Sequence, residues 1–131
     1  MTYDNYKINA MPALITAIKA ALAADEATRA ISGSVYPIIA PFDTDGGVVV
    51  VRQQGETPER SKFGIARTTG HYRAYCTSDD YTEATTAAAA IARAIEGATL
   101  GDGRRTWYAG TQQDIIDGRP VAAIDIDVTD N

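Results

Sequence analysis

Residues 65–77 read IARTTGHYRAYCT. Side chains of a β-strand alternate between its two faces, so as a strand this stretch sets Tyr72, Ala74 and Cys76 on one side and His71, Arg73 and Tyr75 on the other. One face is apolar and the other polar and aromatic, the pattern of a sheet with a core on one side only.

The residues on either side continue the pattern. Downstream, Ser78-Asp79-Asp80 offers capping oxygens and Glu83 falls in a first turn, where a negative charge suits the helix dipole. YTEATTAAAAIARAIEG then sets Ala84, Ala87, Ala88, Ile91 and Ile95 on one helical face, and Gly97 ends it. Small residues on that face predict a helix lying close to a sheet. Beyond the turns GDG and DGRP come two more strands, RRTWYAGTQQDII and PVAAIDIDVT. In the last, Ala122, Ile124, Ile126 and Val128 share one face, and Asp125 and Asp127 the other.

Upstream, Val48 to Val51 form a strand apolar on both faces, entered through the turn residues Asp45, Gly46 and Gly47. Gln54 to Gly64, polar and carrying Pro58, reads as a long exposed loop. In AISGSVYPIIAP (30–41), Pro37 and Pro41 remove backbone donors, so a protected edge or crossing strand is predicted, with Val35, Ile38 and Ile39 buried. Pro12 suits the first turn of a helix whose apolar stripe is Leu14, Ile15, Ile18, Ala21 and Leu22, and Asp25 can cap a short following turn. The predicted order is α-β-β-β-α-β-β, a single α+β domain (1–131) with a mostly antiparallel sheet of four to five strands and two main helices packed on it.

Composition narrows the function. The 131 residues carry a net charge of -5, with 12 scattered Lys and Arg, which argues against a nucleic-acid-binding surface. The apolar run ALITAIKAALAA is interrupted by Lys19 and shorter than the ~20 residues of a membrane span. It follows a polar lead, unlike a secretion signal. A lone cysteine excludes an internal disulfide and fits a reducing compartment.

No motif carries a catalytic step. His71 and Cys76, the only histidine and cysteine, are five residues apart and fall on opposite faces of one strand, which disfavours a shared metal or a nucleophile pair. Asp125 and Asp127 could meet a cation, yet as a pair they read more simply as a solvated face. DTDGG (43–47) lacks the glycine position and closing Glu of a calcium loop, and the glycine-rich GDGRR lacks the Lys-Ser/Thr of a phosphate loop. No serine sits in a nucleophile elbow. A ligand-binding or enzymatic domain using the His71, Arg73 and Tyr75 face is the alternative from another functional class.

Read in order, ALITAIKAALAAD, GSVYPIIAP, VVVVRQQGETPERSK and YTEATTAAAAIARAIEG resemble the tail completion (tail terminator, or head–tail joining) proteins of long-tailed bacteriophages and prophages. Where that family often has Pro followed by an aromatic, this chain has Gly46-Gly47. The resemblance implies a structural virion protein of the tail or neck, made in the host cytoplasm. It would have no catalytic residue, metal or cofactor. Its partners would be copies of itself in a ring, generally a hexamer, together with the tail tube protein and a head-closure or connector protein, and no membrane or specific nucleic acid. Within that role, Gln54, Glu56, Glu59, Arg60 and Lys62 are the candidate partner-contact loop. Asp125 and Asp127 are the candidate channel-facing acidic strand, because like charge would keep passing DNA from sticking.

Overall fold

The computed structural model describes residues 10–38, 40, 46–116 and 118–129. Its elements are α1 (Met11–Ala24), a 3-10 turn (Arg29–Ile31), β1 (Val35–Pro37), β2 (Val48–Ser61), β3 (Gly64–Thr77), α2 (Tyr81–Ile95), β4 (Ala98–Thr99), β5 (Arg105–Ile116) and β6 (Arg119–Thr129). The strands form one six-stranded sheet in the order β1-β2-β3-β6-β5-β4. Pairing is antiparallel except between β1 and β2, which run parallel.

The fold is α+β, as the alternation predicts, with two differences in the sheet. It has six strands instead of four or five, because the two-residue β4 pairs with the start of β5 just after α2. It is also mixed, because the segment leaving the 3-10 turn runs alongside β2 in the same direction. Two backbone bonds fasten that edge: Val49 N donates to Ser34 O and Ile38 N donates to Val51 O, both at 2.9 Å. Pro37 sits at the end of β1 on the sheet edge, where a missing donor costs least. Val35 is buried as expected, but Ile38 is exposed, with a positive φ of 68° that turns the chain away from the sheet. Ile39 lies outside the described residues, as do Pro41 and the turn residues Asp43 to Asp45.

The largest correction concerns Gln54 to Gly64. Instead of a loop, these residues extend β2 to Ser61, and β3 begins at Gly64 after a tight turn. Pairing continues through Pro58, opposite Thr68, to Ser61, opposite Gly64, with register shifts between Gln53 and Gly55 and between Glu59 and Arg60. Past Val51 no other strand among the described residues pairs with the outer side of β2, so Pro58 lies on an edge, where proline is tolerated. The outer parts of β2 and β3 therefore form a two-stranded arm reaching beyond the rest of the sheet.

Both helices lie on the apolar face. α2 packs on β6, β3 and β5, and α1 packs on α2, β1 and β2. The core joins Leu14, Ile18 and Leu22 of α1 and Ala87, Ile91 and Ile95 of α2 to Tyr72, Ala74, Cys76, Ile124, Ile126 and Val128 of the sheet. The helix ends are satisfied by distant groups. The Tyr72 hydroxyl accepts from Ala10 N (3.2 Å) at the start of α1, and Thr28 Oγ1 donates to Leu22 O (2.7 Å) at its end. Asp80 caps α2 by accepting from Thr82 N (2.9 Å), while the fully buried Thr106 Oγ1 donates to Ile95 O (2.7 Å). Gly47 is closely approached: a Cβ there would lie 2.3 Å from Glu83 Oε1 and 2.7 Å from Ile31 Cδ1, so those side-chain ends would have to move. The Gly46-Gly47 entry to β2 thus lets the strand pass close beneath the start of α2.

Ile91 is fully buried between α2 and the sheet. Ile91→Ala is expected to cost about 2–5 kcal/mol of stability, read from denaturant unfolding, through lost transfer energy and the cavity left behind.

Candidate functional site: the helix-free face of the sheet

Among the described residues, no helix covers the other face of the sheet. Its rows follow from register. Tyr75 lies between Val50 and Ala123, Arg73 between Arg52 and Asp125, and His71 between Gly55 and Asp127. β5 continues these rows with Gln112 beside Ala123 and Trp107 beside Asp127.

The polar side chains of this face are paired across strands. Arg73 Nε donates to Asp125 Oδ1 at 2.6 Å, with both side chains about a quarter exposed. The Asp125 carboxylate holds the Arg73 guanidinium above its ordinary value, chiefly through this hydrogen bond. His71 Nδ1 meets Asp127 Oδ1 at 2.8 Å, and its Nε2 meets Thr57 Oγ1 at 2.7 Å. The guanidiniums of Arg52 and Arg73 lie 5.6 and 5.9 Å from the Tyr75 ring centre, cation–π range. Arg52, directly opposite Arg73 and so repelled by it, turns away to donate from Nε to Ile38 O at 2.8 Å. Gln112 Nε2 reaches Asp125 Oδ2 at 3.4 Å, and Trp107 Nε1 donates to Thr129 Oγ1 at 3.3 Å beneath the Arg105 guanidinium.

The structure brings the two candidate groups of the sequence into one ladder. Asp125 and Asp127 lie on this face as expected, each beside a cationic or protonatable partner, so the strand is less negative than its sequence suggests. His71, Arg73 and Tyr75 line up on the same face. An open groove of about 440 Å³ reaches Tyr75 with Val50, Arg52, Thr77, Ile116, Arg119 and Val121, but its lining does not include His71 or Arg73. Cys76 lies on the buried face, away from His71, and burial pushes its thiol up to about 12. No group of three or more His, Cys, Asp or Glu that could hold a metal occurs among the described residues, and no described helix is long and apolar enough to cross a membrane.

The candidate contact residues Gln54, Glu56, Glu59, Arg60 and Lys62 are all exposed; Glu59, Arg60 and Lys62 lie on the arm, whereas Gln54 and Glu56 lie in the part of β2 that is still backed by β3 and β6. At its tip Phe63 is 88% exposed, with the Lys62 ammonium 5.1 Å from its ring centre. Other exposed apolar side chains are Ile38 near β1, and Trp107, Tyr108, Ile115 and Ile116 on β5. Register alone could have revealed this distribution, because the sequence gives no sign that β5 lies near a sheet edge.

The fold thus carries a bare, paired sheet face with exposed apolar side chains on β5, at the arm tip and beside β1. The chain belongs to the tail completion protein gp17 family, whose model matches residues 16–128. A chain from the virion of a native gene transfer agent particle shares the fold, with a TM-score of 0.71 at 19% identity, covering 95% of this chain and 100% of that one. No curated protein sequence matches the chain. The family resemblance read from the sequence therefore holds, and the protein is a structural component of the phage type.

The Arg73–Asp125 pair is partly shielded and well aligned. A double-mutant cycle with Arg73→Ala and Asp125→Ala is expected to give a coupling of about 0.5–1 kcal/mol in denaturant unfolding, weakening as salt is raised. Full additivity would show that the pair contributes nothing.

Proposed function

We propose that this protein closes the tail tube: copies assemble as a ring, generally a hexamer, on the last ring of tube subunits, stop further polymerisation and present the surface to which the head connector binds. The observation that carries this reading is the family match across residues 16–128. It is joined by a fold whose described residues leave one sheet face and a projecting arm uncovered. A ring of identical subunits needs two different, complementary surfaces on each copy, and closes when the rotation between copies divides a full turn. The exposed residues Gln54 and Glu56 of β2, with Glu59, Arg60 and Lys62 of the arm, supply contacts to a neighbour or to the tube. In this reading the protein resides in the virion, at the tail or neck, and acts by occupying a surface, with no covalent step.

Deleting the gene in an otherwise complete particle is expected to give tubes of uncontrolled length without attached heads, and supplying the chain in trans should restore both. Tails of normal length joined to heads in its absence would contradict the reading.

We also place Asp125 and Asp127 on the wall of the DNA channel, since the helix-free face is the one that can turn inward. The Arg73 guanidinium offsets the Asp125 charge, and His71 contacts Asp127, leaving the face polar. Asp125→Asn with Asp127→Asn is expected to lower infectivity or DNA delivery while tails still assemble. Unchanged delivery would remove this assignment.

A further inference from the structure

The sheet has two free edges, on opposite sides. β4 covers β5 only at Arg105 and Thr106, leaving Trp107 to Ile116 without an outer neighbour among the described residues. β1 covers β2 only at Val49 to Val51, leaving Arg52 to Ser61 similarly open. Each edge is a row of backbone donors and acceptors able to template another strand.

We propose that the ring named above is joined by these edges: β5 of one subunit pairs antiparallel with the outer part of β2 in the next, making one continuous circular sheet with the helices outside. The inference rests on the ring reading, and three features of the topology support it.

Direction comes first. β2, β3, β6 and β5 alternate, so β5 runs opposite to β2. Cyclic symmetry keeps every copy in the same orientation along the axis, and β5 therefore meets the neighbour's β2 antiparallel, the more stable pairing. With an odd number of alternating strands between the two edges the contact would have been parallel.

Stagger comes second. Register carries Thr111, near the middle of the free β5 edge, across Ile124 and Ala74 to Val51, just short of where the free β2 edge begins. A flat ring would thus set Thr111 to Gln113 against covered Val51 to Val49, with only Trp107 to Gly110 opposite open β2. In a closed sheet, however, strands tilt by about 35–45°, a shift of roughly one residue or slightly more per strand crossed, or about four to six residues over four strands. Parallel strands joined through a helix, as β3 and β5 are through α2, cross right-handedly as a rule, which places β5 to the right of β3 seen from the helices. With the strands' right-handed twist, the shift then runs toward the arm tip. Thr111 is brought opposite the stretch Gly55 to Thr57, the middle of the open β2 edge.

Third are the exposed side chains. The same shift carries the Phe63 tip of one copy toward Trp107 and Tyr108 of its neighbour, joining apolar surfaces that are otherwise solvated. The edges are also guarded: β2 has register breaks between Gln53 and Gly55 and between Glu59 and Arg60, plus Pro58, and β5 has one between Tyr108 and Gly110. Free copies would therefore pair weakly, and the joint would form when a tube end gathers them.

Gln112 and Thr57 lie on the same helix-free face, so Gln112→Cys with Thr57→Cys, treated with a short bis-maleimide in assembled tails, reads the joint directly. The buried Cys76 serves as an internal control. The double variant is expected to give a ladder of covalent oligomers ending at the ring number, and each single variant only monomer. Rings or normal tails without a ladder would overturn edge pairing while leaving the ring reading standing. Covalent dimers from Gln112→Cys alone would show two β5 edges paired about a twofold axis and overturn it as well. Absence of the wild-type chain from purified tails would sink the ring reading itself.

Discussion

Strict alternation along β3 is the constraint on which the rest of this structure depends. Tyr72, Ala74 and Cys76 are almost fully buried beneath the helices, and between them His71, Arg73 and Tyr75 stand on the face that no helix covers. β3 lies between β2 and β6, so its pleat imposes the same division on both neighbours. A slip of one residue would carry Arg73 and His71 into the core and expose Tyr72, whose hydroxyl also holds the start of α1. The one-sided sheet, the docking of both helices and the cross-strand ion pairs all follow from that register.

The division also explains why a chain of this size keeps so much of its sheet uncovered. Two helices and a single core are enough for folding on one side. On the other side, polar groups placed directly across from each other keep the face ordered in water: the Arg73–Asp125 ion pair and the His71–Asp127 contact. A face stabilised in this way needs no apolar cover and can meet solvent in a channel. In the proposed ring the surfaces for protein partners are the margins, where Phe63, Ile115 and Ile116 are exposed.

Much of this was legible in the sequence wherever periodicity and burial agree. α2 buries the alanines and isoleucines that its pattern nominates, Asp80 caps it, and β6 divides between Ile124 and Asp125 as its alternation requires. The arm was not legible. Pro58, Gly55 and a dense run of charge are loop chemistry, and they are admitted to a strand because that part of β2 has one partner among the described residues, a fact of topology that local pattern does not contain. Parallel β1 was hidden for a related reason, since three residues are too few to show a period. At the candidate site the residue types were readable, but their pairing was not: register alone sets Arg73 across from Asp125 and His71 across from Asp127. The overall resemblance was readable from the order of segments, and the family match supports it.

The central claim is that this chain forms the terminal ring of the tail tube. An image reconstruction of the head-proximal end of assembled tails tests it most directly. The account predicts a single ring of this chain on the last tube ring, with α1 and α2 outside and the Arg73–Asp125 face toward the channel. Density for the chain at the distal tip, or as separate copies that do not close around the tube, would contradict it.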